Sequence, residues 1–299
     1  MNETYGKAVP GMEEFLHEVV LEGLIDTAKL LPFLFLTYLA MEFLEHKAEG
    51  RALRFLEKSG VFGPALGALV GTVPQCGFSA AAANLYAGRI ITLGTLLAVF
   101  LSTSDEMLPL LIAGNVKITS VLLILGIKIV IGIAVGMLVD LILRLRHRKE
   151  EVHIDALCEQ DHCHCEKGIF RSALHHTLHI TLFLLLVTLL INAAVFFVGE
   201  ETIASLLYDR PVISHIVAAF LGLIPNCAAS VVLTGFYLKG FITAGAMLAG
   251  LLPGAGVGLL VLFRINRPMK ENFLILLLLF ATGVLSGLLV DLTGLASLI

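Results

Sequence analysis

The stretch VFGPALGALVGTVPQCGFSAAAANLYAG, residues 61–88, contains no Asp, Glu, Lys or Arg and carries Pro74 and Cys76 near its middle. It is longer than the roughly 20 apolar residues that cross a bilayer as helix. Proline, however, removes a backbone donor and clashes with the preceding turn, so one unbroken helix over this stretch is disfavoured. An interrupted membrane segment satisfies both conditions. The rest of the chain agrees, with 58% of its 299 residues hydrophobic and 15% charged, against about 25% charged in soluble domains. This composition excludes a soluble enzyme, a nucleic-acid binder and a secreted disulfide scaffold. The net charge of −4 adds nothing about partners.

Apolar blocks run at about 24–44, 61–88, 90–113, 118–143, 178–198, 212–238, 241–263 and 273–299, each long enough for a helical span. The amino terminus holds Glu3, Glu13, Glu14, Glu18 and Glu22 against Lys7. That is the reverse of a signal peptide's basic start, so the first block is expected to be a retained span. The five cysteines suit free thiols better than a disulfide framework. Three (Cys158, Cys163, Cys165) crowd one polar loop, and Cys76 and Cys227 lie in apolar segments.

The chain repeats itself at an offset of 151 residues. Gly71, Pro74, Cys76, Ser79 and Tyr86 align with Gly222, Pro225, Cys227, Ser230 and Tyr237. In the same register Thr92, Gly94, Gly132, Gly136 and Asp140 meet Thr243, Gly245, Gly283, Gly287 and Asp291. Apolar composition aligns Leu and Ala by chance, but not Pro, Cys, Tyr and Asp at one fixed spacing.

The basic loops Lys47/Arg51/Arg54/Lys58, Arg144/Arg146/Arg148/Lys149 and Arg264/Arg267/Lys270 belong on the cytoplasmic side. That placement requires an even number of crossings between residues 60 and 144, where three blocks are visible, so one is doubled or re-entrant. The expected fold is an all-α polytopic membrane protein of two inverted repeats, each of about five helical elements with broken or re-entrant helices. Its parts are a first transmembrane repeat over 1–145, a cytosolic His/Cys-rich loop over 146–173 and a second repeat over 174–299. One pair of breaks is expected at Thr72-Val73-Pro74-Gln75-Cys76-Gly77 and Leu223-Ile224-Pro225-Asn226-Cys227-Ala228. A second pair is expected at Ser102-Thr103-Ser104-Asp105-Glu106 and the aligned Pro253-Gly254-Ala255-Gly256. Backbone freed there must be buried in protein or watered.

Asp105 and Glu106 are the strongest chemical signal, because an ionised carboxylate at a helix centre costs about 2.5–3.5 kcal/mol on insertion scales. Either the 90–101 block ends at a membrane surface and the pair is a solvated loop, or the pair is a cation or proton site with the Ser102, Thr103 and Ser104 hydroxyls beside it. Cys76 and Cys227, flanked by Gln75 and Asn226, follow two residues after a proline at equivalent positions. Thiols suit soft or borderline ions, and the carboxylates and amides suit hard ones, so ligand hardness leaves the ion open. The tract His153, Cys158, His162, Cys163, His164, Cys165 packs imidazoles and thiols into 13 residues and reads as a metal-capture or sensing loop; a solvated linker is the plainer alternative. Lys128 would pair with the acidic residues or snorkel, and Lys29 would snorkel. His175, His176 and His179 read as interfacial, Asp140 and Asp291 as structural, and Gly132/Gly136 and Gly283/Gly287 as helix-packing faces.

The duplicated Pro-x-Cys segments, the Ser-Thr-Ser-Asp-Glu and Leu-Leu-Pro-Gly-Ala-Gly stretches and the His/Cys loop together resemble the ten-transmembrane heavy-metal exporter family, over about 15–299. That family is related by name to arsenic efflux permeases and is also labelled a manganese transporter. The resemblance implies export of a metal or metalloid ion, with Pro74, Cys76, Asp105, Glu106, Pro225 and Cys227 as site positions. The chain would then be a multi-pass transporter of the inner (plasma) membrane, working by alternating access. Its partners would be the metal or metalloid ion and the lipid bilayer, with no nucleic acid, and self-association is left open. No enzymatic activity and no cofactor beyond the transported ion are expected. No G-x4-G-K-[ST] nucleotide motif is present. The rival reading is an intramembrane thiol oxidoreductase using Cys76 and Cys227, against which stands the lack of a C-x-x-C pair.

Charge parity predicts that both termini face away from the cytosol and that the His/Cys loop faces it. Reporter fusions at residue 160 and at the carboxyl terminus check this. A cytosolic carboxyl terminus would favour parallel repeats instead.

Overall fold

The computed structural model describes residues 16–21, 23–25, 27–28, 31–32, 34–36, 39, 62–73, 76–104, 107–145, 169–198 and 211–298. All regular structure among them is helical. A π-helical turn at Leu16–Leu21 opens the first segment. In the first half follow α1 (Gly63–Gly71), α2 (Cys76–Ala87), α3 (Leu93–Ser102), α4 (Met107–Ala113) and α5 (Ile118–Leu145). The second half holds α6 (Ile169–Val198), α7 (Pro211–Gly222), α8 (Cys227–Leu238), α9 (Ala244–Leu251), α10 (Val257–Ile265) and α11 (Met269–Leu292). The helix expected at 178–198 therefore begins at Ile169, ahead of its apolar block.

Helix lengths separate two kinds of element. The 28 residues of α5, the 30 of α6 and the 24 of α11 reach about 36–45 Å at 1.5 Å per residue, enough to cross the bilayer core. They carry stripes of outward-facing leucines, such as Leu178, Leu182, Leu186 and Leu190 on α6 and Leu277, Leu285, Leu289 and Leu292 on α11. Exposed apolar area on this scale belongs against lipid. The blocks at 61–88, 90–113, 212–238 and 241–263 are instead each two short helices. The first helix of each pair ends at Gly71, Ser102, Gly222 or Leu251, and the second opens at Cys76, Met107, Cys227 or Val257, on either side of the proline and polar stretches.

Within each half three helices pack through small residues. In the first, α1, α3 and α5 meet one another; in the second, α7, α9 and α11 do the same. A β-carbon on Gly132 would lie 3.0 Å from the Ala98 carbonyl, and one on the aligned Gly283 would lie 2.5 Å from the Ala249 carbonyl. Glycine lets these helix backbones touch, as its spacing predicted.

The helices after the proline breaks change partner. From the first half, α2 packs on α10 of the second; from the second, α8 packs on α4 of the first. Ser79 on α2 backs onto Gly258 on α10, where a β-carbon would sit 2.8 Å from Ser79 Cβ. Each hydrophobic core is consequently built from both halves. One joins Ala83 and Leu97 to Leu259 and Leu262; the other joins Met107 and Ile124 to Leu233 and Leu248. A polar clamp also crosses, since Arg89 lies 2.7 Å from Glu271 and stacks over Tyr86. Arg89 has φ 56°, and the aligned Gly240 has φ 74°, so both turns need the same left-handed backbone.

Asp140 and Asp291 are structural, and they do the same work twice. Thr92 Oγ1 donates to Asp140 Oδ2 at 2.6 Å and the Gly94 amide donates to Oδ1 at 2.8 Å. Thr243 and Gly245 bind Asp291 at 2.5 and 2.9 Å. In both places the threonine is the N-cap, accepting from the amide three residues on. The carboxylate thus satisfies amide donors at the start of α3 and of α9 that have no partner within the helix. Hydrogen bonds to a charged group contribute about 1.5–3 kcal/mol. Asp140→Ala and Asp291→Ala should each lower thermal stability by about that much and by similar amounts, read from the unfolding midpoint of the purified protein. An unchanged midpoint in both would mean that these caps carry no stability.

Candidate functional site

The site is built where the short helices stop. Helix α3 ends at Ser102 with Thr103 as its C-cap, and α9 ends at Leu251 with Leu252 as its C-cap. The last carbonyls of a helix have no partner within it. At the end of α3 the Val99 carbonyl accepts the Thr103 amide at 3.1 Å and two hydroxyls besides, Ser102 Oγ at 3.1 Å and Thr103 Oγ1 at 2.8 Å. Ser104 Oγ donates to the Ser102 carbonyl at 3.0 Å. Ser102, Thr103 and Ser104 are all buried. Their protons point into the helix end, so it is hydroxyl oxygen that they can present to a cation.

The two breaks within a half lie side by side. Gly71, at the end of α1, sits directly against Ser102 Oγ and the Val99 carbonyl. Gly222, at the end of α7, sits against the Gly250 carbonyl, and Gly254 faces the Gly222 carbonyl. The turn at Leu223–Asn226 is tight, with Ile224 N donating to Leu221 O at 3.0 Å and Asn226 N to Ile224 O at 2.7 Å. Asn226 is buried there and Pro225 is half-buried.

The two halves are joined at this level by Lys128. Its Nζ donates to the Thr103 carbonyl at 2.5 Å and to the Leu251 carbonyl at 2.7 Å, and the side chain is 1% exposed. One ammonium thus bridges the carboxyl ends of two interrupted helices, one from each half. Lys128 stands ten residues into α5, about 15 Å along the helix, which is half the roughly 30 Å hydrocarbon thickness. It does not snorkel. A lysine that deep in an apolar span was the sequence signal, but its target could not be read from the sequence, because every residue has a carbonyl.

Of the residues that the sequence singles out, the structure brings Ser102, Ser104, Pro225 and Asn226 to the helix breaks. Cys76 and Cys227 each open a helix, α2 and α8, by their backbones; their side chains lie outside the described residues. Outside them too are Pro74, Gln75, Asp105, Glu106 and Lys29, together with His153, Cys158, His162, Cys163, His164 and Cys165. Among the described residues no three His, Cys, Asp or Glu side chains gather into a metal set. His175 and His179 are exposed neighbours on α6, with ring centroids 6.0 Å apart. A feature not foreseen is the buried His215, whose Nε2 lies 3.0 Å from Asp291 Oδ2; the first half has Pro64 at the aligned position.

No curated protein and no solved structure matches the chain. A family model described as "Putative, 10TM heavy-metal exporter" matches residues 14–202 and 178–298. The two matched stretches run through both halves, and the long helices and paired breaks suit such a membrane protein. The chain belongs to the 10TM heavy-metal exporter family.

Proposed function

We propose that the protein exports a heavy metal or metalloid, either an arsenic species or a divalent cation such as manganese, from the cytosol across the inner membrane. The two halves act as inverted repeats that alternate access around the helix breaks. The observation that carries this reading is the meeting of interrupted helix ends from both halves on Lys128, at mid-depth of a long span. Irregular backbone at that depth is tolerated only inside protein or beside a water-filled cavity, and this is where transporters of the inverted-repeat type bind their cargo.

In this reading Asp105 and Glu106, which follow Ser104 in the chain, supply the anionic ligands or carry the coupling proton. Hydroxyls of Ser102 and Ser104 add oxygen ligands. Cys76 and Cys227, with Gln75, Asn226 and the carbonyls freed at Pro74 and Pro225, line the path. The tract from His153 to Cys165 captures the ion on the cytosolic side and delivers it.

Deletion of the gene should sensitise cells to one or a few ions in a panel of arsenite, organoarsenicals, manganese, zinc, copper and cadmium, and reintroduction should restore resistance. Asp105→Asn/Glu106→Gln should abolish that resistance while membrane abundance stays near normal, because the site and not the fold needs the charge. Full resistance in the double variant would return the pair to a surface loop.

Cys76 and Cys227 should be bridged by a bifunctional maleimide once Cys158, Cys163 and Cys165 are replaced by serine, in at least one transport state. Failure in every state tested, with and without the exported ion, would remove the Pro-x-Cys turns from the path.

A further inference from the structure

We propose that the carbonyls of Thr103 and Leu251 form a monovalent-cation seat and that Lys128 fills it with a tethered ammonium in place of a free ion. Three observations carry this. Both carbonyls sit at the carboxyl ends of short helices, where the peptide dipoles sum to about half a negative charge each. Both accept from the same nitrogen, at 2.5 and 2.7 Å, in a position closed to solvent. The aligned residue on α11 is Leu279, fully buried in apolar surroundings, so only one of the two repeats supplies a cation.

Paired helix ends of this kind, aimed at one point inside a membrane, are what coordinate sodium or a proton in transporters with broken helices. Bare, they would leave two acceptors unsatisfied and two partial negative charges facing each other. A lysine at a helix centre costs about 2.5–3.5 kcal/mol on insertion scales, and the two carbonyl bonds of the seat offset part of that cost. An ammonium presents three N–H donors, and the stem of Lys128 delivers them without the entropy of capturing an ion from solution. The protein then holds its two halves together at this level at any sodium or potassium concentration. That last consequence rests on the export reading; the seat itself does not.

The test uses the purified full-length protein in detergent, with its thermal unfolding midpoint measured at constant ionic strength. Choline chloride is replaced stepwise by the chlorides of sodium, potassium, methylammonium or tetramethylammonium. The wild-type midpoint should be the same in all of them. Lys128→Ala should lose several degrees in choline and recover saturably in methylammonium or sodium, but not in tetramethylammonium, which has no N–H donor and is too bulky for the seat. Lys128→Arg should stay indifferent to the cation. Should Lys128→Ala fail to accumulate, Lys128→Met, which keeps the apolar packing of the stem, takes its place in the same titration.

A neutral variant without any cation-specific recovery would overturn the proposal, and so would a wild-type midpoint that rises saturably with sodium or potassium. In vesicles, export by wild type should be insensitive to exchange of sodium for choline, and export by the neutral variant should become sensitive to it. If the stability titration behaves as expected and no ion in the panel is exported, the seat stands and the export reading falls.

Discussion

A peptide carbonyl inside a bilayer has no water to turn to, and this constraint organises the whole molecule. The long helices α5, α6 and α11 meet it by internal hydrogen bonding. The four interrupted blocks cannot, since each break leaves the carboxyl end of one helix and the amino end of the next inside the protein. At the ends of α3 and α9, and at their starts, the structure supplies specific partners. Serine and threonine hydroxyls turn back onto the end of α3, and Lys128 covers Thr103 and Leu251. Asp140 and Asp291 cover the starts of α3 and α9. The aspartates start the short helices, while Lys128 and the buried hydroxyls mark a chain that keeps irregular backbone inside the protein.

Among the described side chains, the agreement between the two halves is mostly in packing and helix capping, and several polar groups appear on one side only. Gly132 and Gly283 press against the same backbone carbonyl in their respective halves, and the Thr–Asp caps match to within 0.1 Å in each bond. These are requirements of close helix contact and helix initiation, and they bind both copies equally. In sequence, Lys128 aligns with Leu279, His215 with Pro64, Arg89 with Gly240, and Asp105 and Glu106 with Gly256 and Val257. A pathway with a single cargo site needs its ligands once. A duplicated scaffold with unduplicated polar groups fits that need better than a symmetric pore would.

Much of this was legible in the sequence. Pro, Cys, Tyr and Asp recurring at one offset exposed the duplication, and Pro74 and Pro225 exposed the first breaks, because proline acts through local sterics that need no tertiary context. The second breaks were legible from polar and glycine-rich runs inside apolar blocks. The early start of α6 was not, because its first turns mix His175 and His179 with exposed leucines and so carry no unbroken apolar run. Nor was the change of partner by α2 and α8: apolar periodicity says that a face is buried, not against which helix. The contact of Lys128 was hidden for the same kind of reason, since its acceptors are backbone atoms that leave no mark in the alphabet of side chains.

The exchange of partners matters for how the halves can move. Were each half packed only on itself, one could rock against the other across a simple interface. Here α2 lies on α10 and α8 lies on α4, so each half carries a helix bedded in the other, just beyond a break. A rigid displacement of the α1–α3–α5 unit against the α7–α9–α11 unit would be absorbed between α1 and α2 and between α7 and α8, rather than within the packed cores. Close-packed cores resist continuous deformation, while short irregular segments absorb large backbone rotations. In the export reading proposed above, the stretches that flank the candidate site would therefore also serve as the hinges. Lys128, rooted in α5 and bonded to the ends of α3 and α9, ties the two units together at the level where those hinges act.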